Sequence, residues 1–299
     1  MTRLTVGITT RHRPHALARL IRSLQCLADF DPRVIVFDDG SDPPAAQTVA
    51  DVGSTLSIRV VRDETGAAYI VGRNRIIEMA ATPYALLLDD DAVILDAAPI
   101  REAVRVMDRD ASVAAVGFAQ AEANGEPWPV SMQPGRALVP ALVPSYIGFA
   151  HLLRVDTFRA HGGYREMLIF YGEEKELCMR LWDAGSKVVY LPGALIAHVP
   201  DRAGRSDSRY VRFAIRNDCL FSILNEPLPL ALLSIPIRLR RYGRMAKGIA
   251  GGDSGGFRWL LGDLWRAWPA AWRQRRPVSW RTVRYWRHLR RNVVPYVAP

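Results

Sequence analysis

The chain has 299 residues, 49% hydrophobic and 23% charged, which excludes a disordered polymer and leaves room for one large or two smaller cores. Cys26, Cys178 and Cys219 are odd in number and far apart, with no C-x-x-C pair, so a disulfide framework or cysteine zinc site is excluded and a reducing cytoplasm fits. The net charge of +10 is uneven: residues 201–299 hold 20 Arg or Lys against 6 Asp or Glu, while residues 1–200 hold 20 against 24. The basicity therefore belongs to the C-terminal third and is separate from any acidic site before it.

The N-terminal run is interrupted by Thr and Gly and followed by Arg11 and Arg13, so no signal peptide is expected. The runs 4–9, 34–37, 57–61, 84–88 and 113–118 are short, β-branched or Leu-rich and without polar alternation, the pattern of strands buried on both faces. After Pro14, Leu17, Leu20, Ile21, Leu24 and Leu27 recur at helical spacing, and strand, helix, strand predicts an α/β protein with a parallel sheet. Residues 119–145 are rich in Pro and Gly and are expected to lie over the sheet edge. Then follow the apolar "YIGFAHLLRV", a "GGY" turn, the helix "GEEKELCMRLWDAG", and two short strands, "KVVYL" and "ALIAH". The longest apolar run, "LPLALLSIPI" (228–237), carries two internal prolines and falls short of the roughly 20 residues that span a bilayer. No membrane-crossing helix is expected.

Open α/β sheets bind ligands beyond the carboxyl ends of their strands, and two acidic clusters fall there, "DDGSD" (38–42) and "DDD" (89–91). The first is read equally well as a turn or as an acceptor for a nucleobase or ribose. The second is harder to explain by structure alone. A helix cap needs one carboxylate, whereas a hard cation needs several oxygens and relieves their repulsion. In the later helix, Leu177, Cys178, Leu181 and Trp182 form an apolar stripe with Glu174 near its middle and Glu173 about a quarter turn away. Glu174 is thus expected to point inward and to line a cavity as a candidate general base. The alternative is that both glutamates merely favour the positive helix terminus. His198, ending "ALIAH", is either a structural histidine or a metal or phosphate contact.

In order, "VGITTRHRPHALARLIRSL", "VIVFDDGSD", "AYIVGRNRIIEMA", "YALLLDDDAVI" and "HGGYREMLIFYGEEKELCMRLWDAGSKVVYLPGALIAH" resemble the inverting family 2 glycosyltransferases of the GT-A fold, over roughly residues 3–225. The resemblance implies a Rossmann-like, mixed, mainly parallel sheet flanked by helices. It implies transfer of a hexosyl or deoxyhexosyl group from a nucleotide-sugar, expected to be a UDP- or TDP-sugar, to a hydroxyl acceptor. Asp38 and Asp39 would hold the base or ribose, Thr10 and Arg13 would line the same pocket, and Arg73 would sit by the base or diphosphate. Asp89 or Asp90 would touch the ribose, and Asp91 the metal, Mn²⁺ or Mg²⁺, with Asp89 and His198 as further ligand candidates. The family's "ED" motif falls on Glu173 and Glu174, making Glu174 the base. Two departures stand out: "TTRHR" replaces a Pro-Thr-Tyr-Asn-Arg run, and Glu at 174 is longer than Asp by one methylene.

Two rival readings are weaker. A sugar-phosphate nucleotidyltransferase would carry a Gly-rich basic loop after the first strand, and "TTRHRP" has no Gly. A nucleic-acid binder would use the tail, where six tryptophans from Trp259 to Trp286 are interleaved with arginines, but the acidic first 200 residues oppose that as a primary role. The chain is thus expected to comprise a catalytic domain over 1–225, divided near 118 into nucleotide-sugar and acceptor halves, and a basic, Trp-rich helical extension over 226–299. With Trp and Leu on one face and Arg on the other, that extension is expected to touch an anionic membrane surface, which would suit a lipid-linked or envelope acceptor at the inner face of the plasma membrane. Packing on the catalytic domain or in a homodimer is the alternative.

Overall fold

In a computed structural model describing residues 3–200, 206–249 and 252–299, the apolar runs become a ten-stranded sheet. In chain order the elements are β1 (Leu4–Thr10), α1 (Pro14–Ser23), β2 (Arg33–Asp38), α2 (Ala45–Val52), β3 (Ile58–Arg62), α3 (Tyr69–Met79), β4 (Tyr84–Asp89), β5 (Ala92–Val93), α4 (Ala98–Arg109) and β6 (Val113–Ala121). They continue as β7 (Ala141–Leu142), β8 (Ala150–Arg154), α5 (Val155–Ala160), α6 (Glu173–Asp183), β9 (Lys187–His198), α7 (Asp207–Asn225), α8 (Leu228–Ala246), α9 (Gly256–Arg273), α10 (Trp280–Leu289) and β10 (Val294–Pro295). The sheet order is β10-β7-β9-β6-β8-β4-β1-β2-β3, with β5 on β9. Strands β3, β2, β1 and β4 run parallel, and β8 is inserted antiparallel between β4 and β6. This is the mixed, mainly parallel α/β architecture the sequence predicts.

Alternate residues of each central strand serve opposite faces. Val34, Val36, Leu86 and Leu88 pack with Leu17, Leu20, Ile21, Leu24 and Leu27 of α1 and the 3-10 turn after it, and with α4. Ile35, Phe37, Ala85 and Leu87 pack beneath α3 and α6. Close approach of α3 depends on Gly72, where a Cβ would lie 2.5 Å from the Phe37 ring.

Three sequence expectations are corrected. The Pro-rich segment does not merely overlie the edge, because Ala141–Leu142 is itself a strand between β10 and β9. "KVVYL" and "ALIAH" form one strand, whose pairing with β6 is broken by a register shift where Pro192 and Gly193 intervene. The basic tail is not wholly peripheral: α10 lies on α6, with Val283 and Trp286 in the main core, and Asp183 accepts hydrogen bonds from Ser279 N and the Thr282 hydroxyl at 2.9 and 2.6 Å. Among the described residues no helix is long and apolar enough to cross a membrane.

Candidate active site

The carboxyl ends of β2, β1 and β4 lie side by side, with Thr10 opposite Asp38 and Thr9 opposite Asp89. The two acidic clusters are thus neighbours, yet their side chains do different work. Asp38 is fully buried and accepts hydrogen bonds from Ser41 N (2.8 Å), Ala45 N (3.0 Å) and Arg62 Nη1 (2.7 Å). Burial pushes its carboxyl up, but these donors outweigh burial and hold it below the usual range. With both oxygens engaged by these donors, Asp38 closes the turn. Asp39 accepts from Ala68 N at 3.1 Å and lies 3.4 Å from the half-exposed Arg11.

The three aspartates after β4 do not converge on one point as their adjacency implied. Asp89, 37% exposed, pairs with Arg73 Nη2 at 2.7 Å. Asp90 is buried and accepts from the Thr10 hydroxyl (2.9 Å) and Arg13 Nη1 (3.0 Å); burial dominates and pushes it up to about 6, against the opposing pull of Arg13. Asp91 faces His198 Nε2 at 3.4 Å and Arg13 Nη1 at 3.4 Å. The loop leaves the strand here, so successive side chains diverge.

His198 is held by its ring. It stacks between Phe149 (4.8 Å) and Trp128 (5.3 Å), and Nδ1 meets Gln120 Oε1 at 2.7 Å. Gln120 Nε2 donates to Met132 O, which turns its carbonyl to the imidazole and makes Nδ1 the donor. Nε2 is then the nitrogen turned towards Asp91, 3.4 Å away. A nitrogen and a carboxylate aimed together, with the ring's other nitrogen fixed from behind, suit a divalent cation that takes its remaining ligands from phosphates and water. Asp89, turned to Arg73, is not part of that pair, and among the described residues no group of three or more His, Cys, Asp or Glu could hold a metal ion.

Across the site stands the first turn of α6. Glu173, expected a quarter turn from the buried stripe, is fully buried, receiving Arg73 Nη1 at 2.7 Å and the Tyr69 hydroxyl at 2.9 Å. Its oxygens are committed to positioning, so the reactive candidate of the two is Glu174, 18% exposed and 3.7 Å from Arg73. Burial, and then the neighbouring Glu173 charge, raises the Glu174 carboxyl well above the usual range. Gly148 makes room for it, because a Cβ there would overlap Oε1 of Glu174. Arg73 is buried, donates also to Gly148 O at 2.7 Å and lies over the Tyr69 ring. It sits between Asp89 and Glu173 and joins the two acidic segments.

The loop entering α6 is bent: Ile169, Tyr171 and Gly172 have φ of 62, 76 and 91°. Such backbone persists only where its surroundings over-determine it. Here Asn217 Nδ2 of α7 donates to Leu168 O, Phe170 O and Tyr171 O at 2.8, 2.8 and 2.6 Å, and Tyr171 N donates to the Tyr69 hydroxyl at 2.8 Å. The far end of α6 closes with Gly185 N bonding Trp182 O and Ser186 N bonding Leu181 O, a glycine stop. Tyr69, Gly148, Gln120 and Asn217 were not found from sequence. Asn217, for one, lies between Arg216 and Asp218 in a charged stretch that does not single it out.

Residues 5–168 match the sequence model described as glycosyl transferase family 2. The chain belongs to that family. Over 210 residues it is 30% identical to the pre-mycofactocin glycosyltransferase of Mycobacterium tuberculosis, covering 65% of this chain and 42% of that protein. It therefore spans less than half the length of the curated relatives it matches. Among solved structures it is similar to S. aureus TarS 1–349 in complex with UDP-GlcNAc, with a TM-score of 0.63 and 15% identity over 96% of this chain and 88% of that one. It is also similar to the mannosyltransferase PcManGT from Pyrobaculum calidifontis in complex with GDP-Man and Mn²⁺, with a TM-score of 0.60 and 14% identity over 97% and 86%. The fold of this family member is of the GT-A type, with a helical C-terminal region.

Proposed function

We propose that this family 2 protein transfers a sugar from a nucleotide-sugar to an acceptor hydroxyl, with a divalent cation and with inversion at the anomeric carbon. The observation that carries this reading is the buried Arg73 guanidinium, whose two terminal nitrogens hold Asp89 and Glu173. It sets the distance between an acidic cluster suited to a donor diphosphate and the exposed edge of Glu174, and fixed distance is what an in-line displacement needs. Asp39, Thr10 and Arg13 are assigned to the donor pocket, with Asp89 and Asp90 on its ribose side. Asp91 and His198 are assigned to Mn²⁺ or Mg²⁺. When bound, the cation offsets the negative charge that develops on the leaving diphosphate.

Glu174 takes the proton of the acceptor hydroxyl as that oxygen attacks the anomeric carbon opposite the leaving group, and one such displacement inverts the centre. Its raised proton affinity makes it a stronger base than an exposed carboxylate. Glu173 stays against Arg73 and orients the turn. In this reading residues 1–225 supply the reacting groups and residues 226–299 a helical extension. The donor is a UDP- or TDP-sugar, a choice supported by the UDP-GlcNAc complex of TarS. The acceptor is a lipid-linked or envelope hydroxyl, and the protein works peripherally at the cytoplasmic face of the membrane.

The test is a melting-temperature panel of UDP-GlcNAc, TDP-glucose and GDP-mannose with and without Mn²⁺, since a ligand of the native state stabilises it by mass action. One donor is expected to raise the melting temperature, and more so with Mn²⁺. NMR of the product should give the inverted anomer. Turnover undiminished in excess EDTA, or retention of configuration, would refute the mechanism.

A further inference from the structure

Helices α8 and α9 are each seated by one face only. Ala231 and Tyr242 of α8, and Leu260 and Ala271 of α9, are buried, with Tyr242 and Leu260 clustering on Val211, Ile215 and Cys219 of α7. The exposed surfaces of both helices are not purely polar, as a solvent face would be, but carry large apolar side chains beside their arginines. On α8, Leu232, Leu233 and Ile237 are 62, 67 and 63% exposed; on α9, Trp265 is 81% exposed, with Leu261, Trp268 and Trp272 exposed beside it. At about 100° per residue those four α9 side chains fall within an arc of about 60°. Arg258, Arg266 and Arg273, all exposed, border it on one side.

We propose that these outer faces of α8 and α9 dock on an anionic lipid bilayer. The proposal rests on the peripheral placement given above and supplies the surface that makes it. Charge decides the occupant. From 228 to 249 there is no acidic residue, and the one acid of α9, Asp263, pairs with Arg216 at 2.5 Å. A second copy joined through a two-fold axis would set this face against itself, arginine against arginine. A nucleic acid would satisfy the arginines and could stack on the tryptophans, but would leave Leu232, Leu233 and Ile237 in water. A bilayer rich in anionic lipid satisfies both: acyl chains take the leucines and isoleucine, the interfacial zone takes the indoles, and headgroup phosphates meet the arginines.

The test is co-sedimentation of the full chain with vesicles of phosphatidylglycerol and phosphatidylcholine, and of phosphatidylcholine alone. Binding is expected to the anionic vesicles at low salt and to weaken as salt is added. Arg258→Gln or Arg266→Gln should each lower partition about fivefold, and Leu232→Asp with Trp265→Asp at least about tenfold. Melting temperature and thermal response to nucleotide-sugars should stay unchanged, so loss of vesicle binding and loss of donor binding are read separately. Absent binding at low salt, equal binding by the Asp variants, or a concentration-dependent dimer that those variants dissolve would overturn the proposal.

Discussion

The loops after β2 and β4 begin alike, each with adjacent aspartates at the end of a buried parallel strand, and end up doing opposite things. After β2, Asp38 turns back on its own loop and is neutralised by two backbone N–H groups and Arg62. After β4, Asp89, Asp90 and Asp91 reach outward to Arg73, to Thr10 and Arg13, and to His198. A carboxylate already satisfied by its own backbone holds shape; one satisfied by groups from distant elements can hold a ligand between them. Identical residue types thus differ in how much of their hydrogen bonding comes from their own loop.

The sharpest way to break that contrast is Asp91→Asn, which should lower donor turnover on the order of 10³-fold while circular dichroism shows the fold retained, because cation stabilisation of the leaving group is worth several kcal/mol. Next is Glu174→Gln, expected to lower turnover by about 10²-fold or more while the donor-induced melting shift persists. If Glu173→Gln is the more damaging of the two in turnover, the roles within the pair are reversed.

Acid dependence refines the same point. Glu174 must be ionised to accept a proton and its carboxyl is raised by burial and by Glu173. The acid limb of kcat/KM should therefore lie above the ordinary carboxylate range, activity being lost as pH falls through it. Glu173→Gln removes the like charge and should move that limb to lower pH. A limb that does not move would separate Glu174 from the profile.

Gly148→Ala adds one methyl where Oε1 of Glu174 lies, and should reduce turnover by about tenfold, since small misplacements of a base are costly. Smallest in turnover is Asp38→Asn, expected within about twofold of wild type but less stable by about 1–3 kcal/mol in urea unfolding at neutral pH. Its folded pKa is depressed, so the stability it contributes is present above its unfolded value of about 3.9 and lost as pH falls through the folded value. The gap between wild type and Asp38→Asn should therefore close in acid.

The parallel core was legible because strands buried on both faces leave unbroken apolar runs, as "VIVF" and "YALLL" do. The two-residue strands β7 and β10 carry no such run. The acidic clusters were legible as clusters, but not their division of labour, which depends on the direction of backbone N–H groups within the 38–45 turn. At α6 the helical wheel put Glu174 near the middle of the apolar stripe and Glu173 about a quarter turn away, yet Glu173 is the more deeply buried of the two. The stripe was judged from apolar residues, and a wheel cannot see Arg73, about 100 residues earlier, neutralising a buried carboxylate. In the tail the same reading separated Trp from Arg but not α10, whose Trp286 is buried, from α9, whose Trp265 is exposed.

The pairing of β10 with β7 joins residues about 150 positions apart. At about 5–20 residues per second, synthesis leaves the β7 edge without that neighbour for about 8–30 seconds. Through that interval the nascent sheet carries an open row of backbone donors and acceptors, the kind of edge that pairs with other chains. Completion of the domain is therefore a late event in the life of the chain, and the vulnerable period is set by translation and not by the stability of the finished fold.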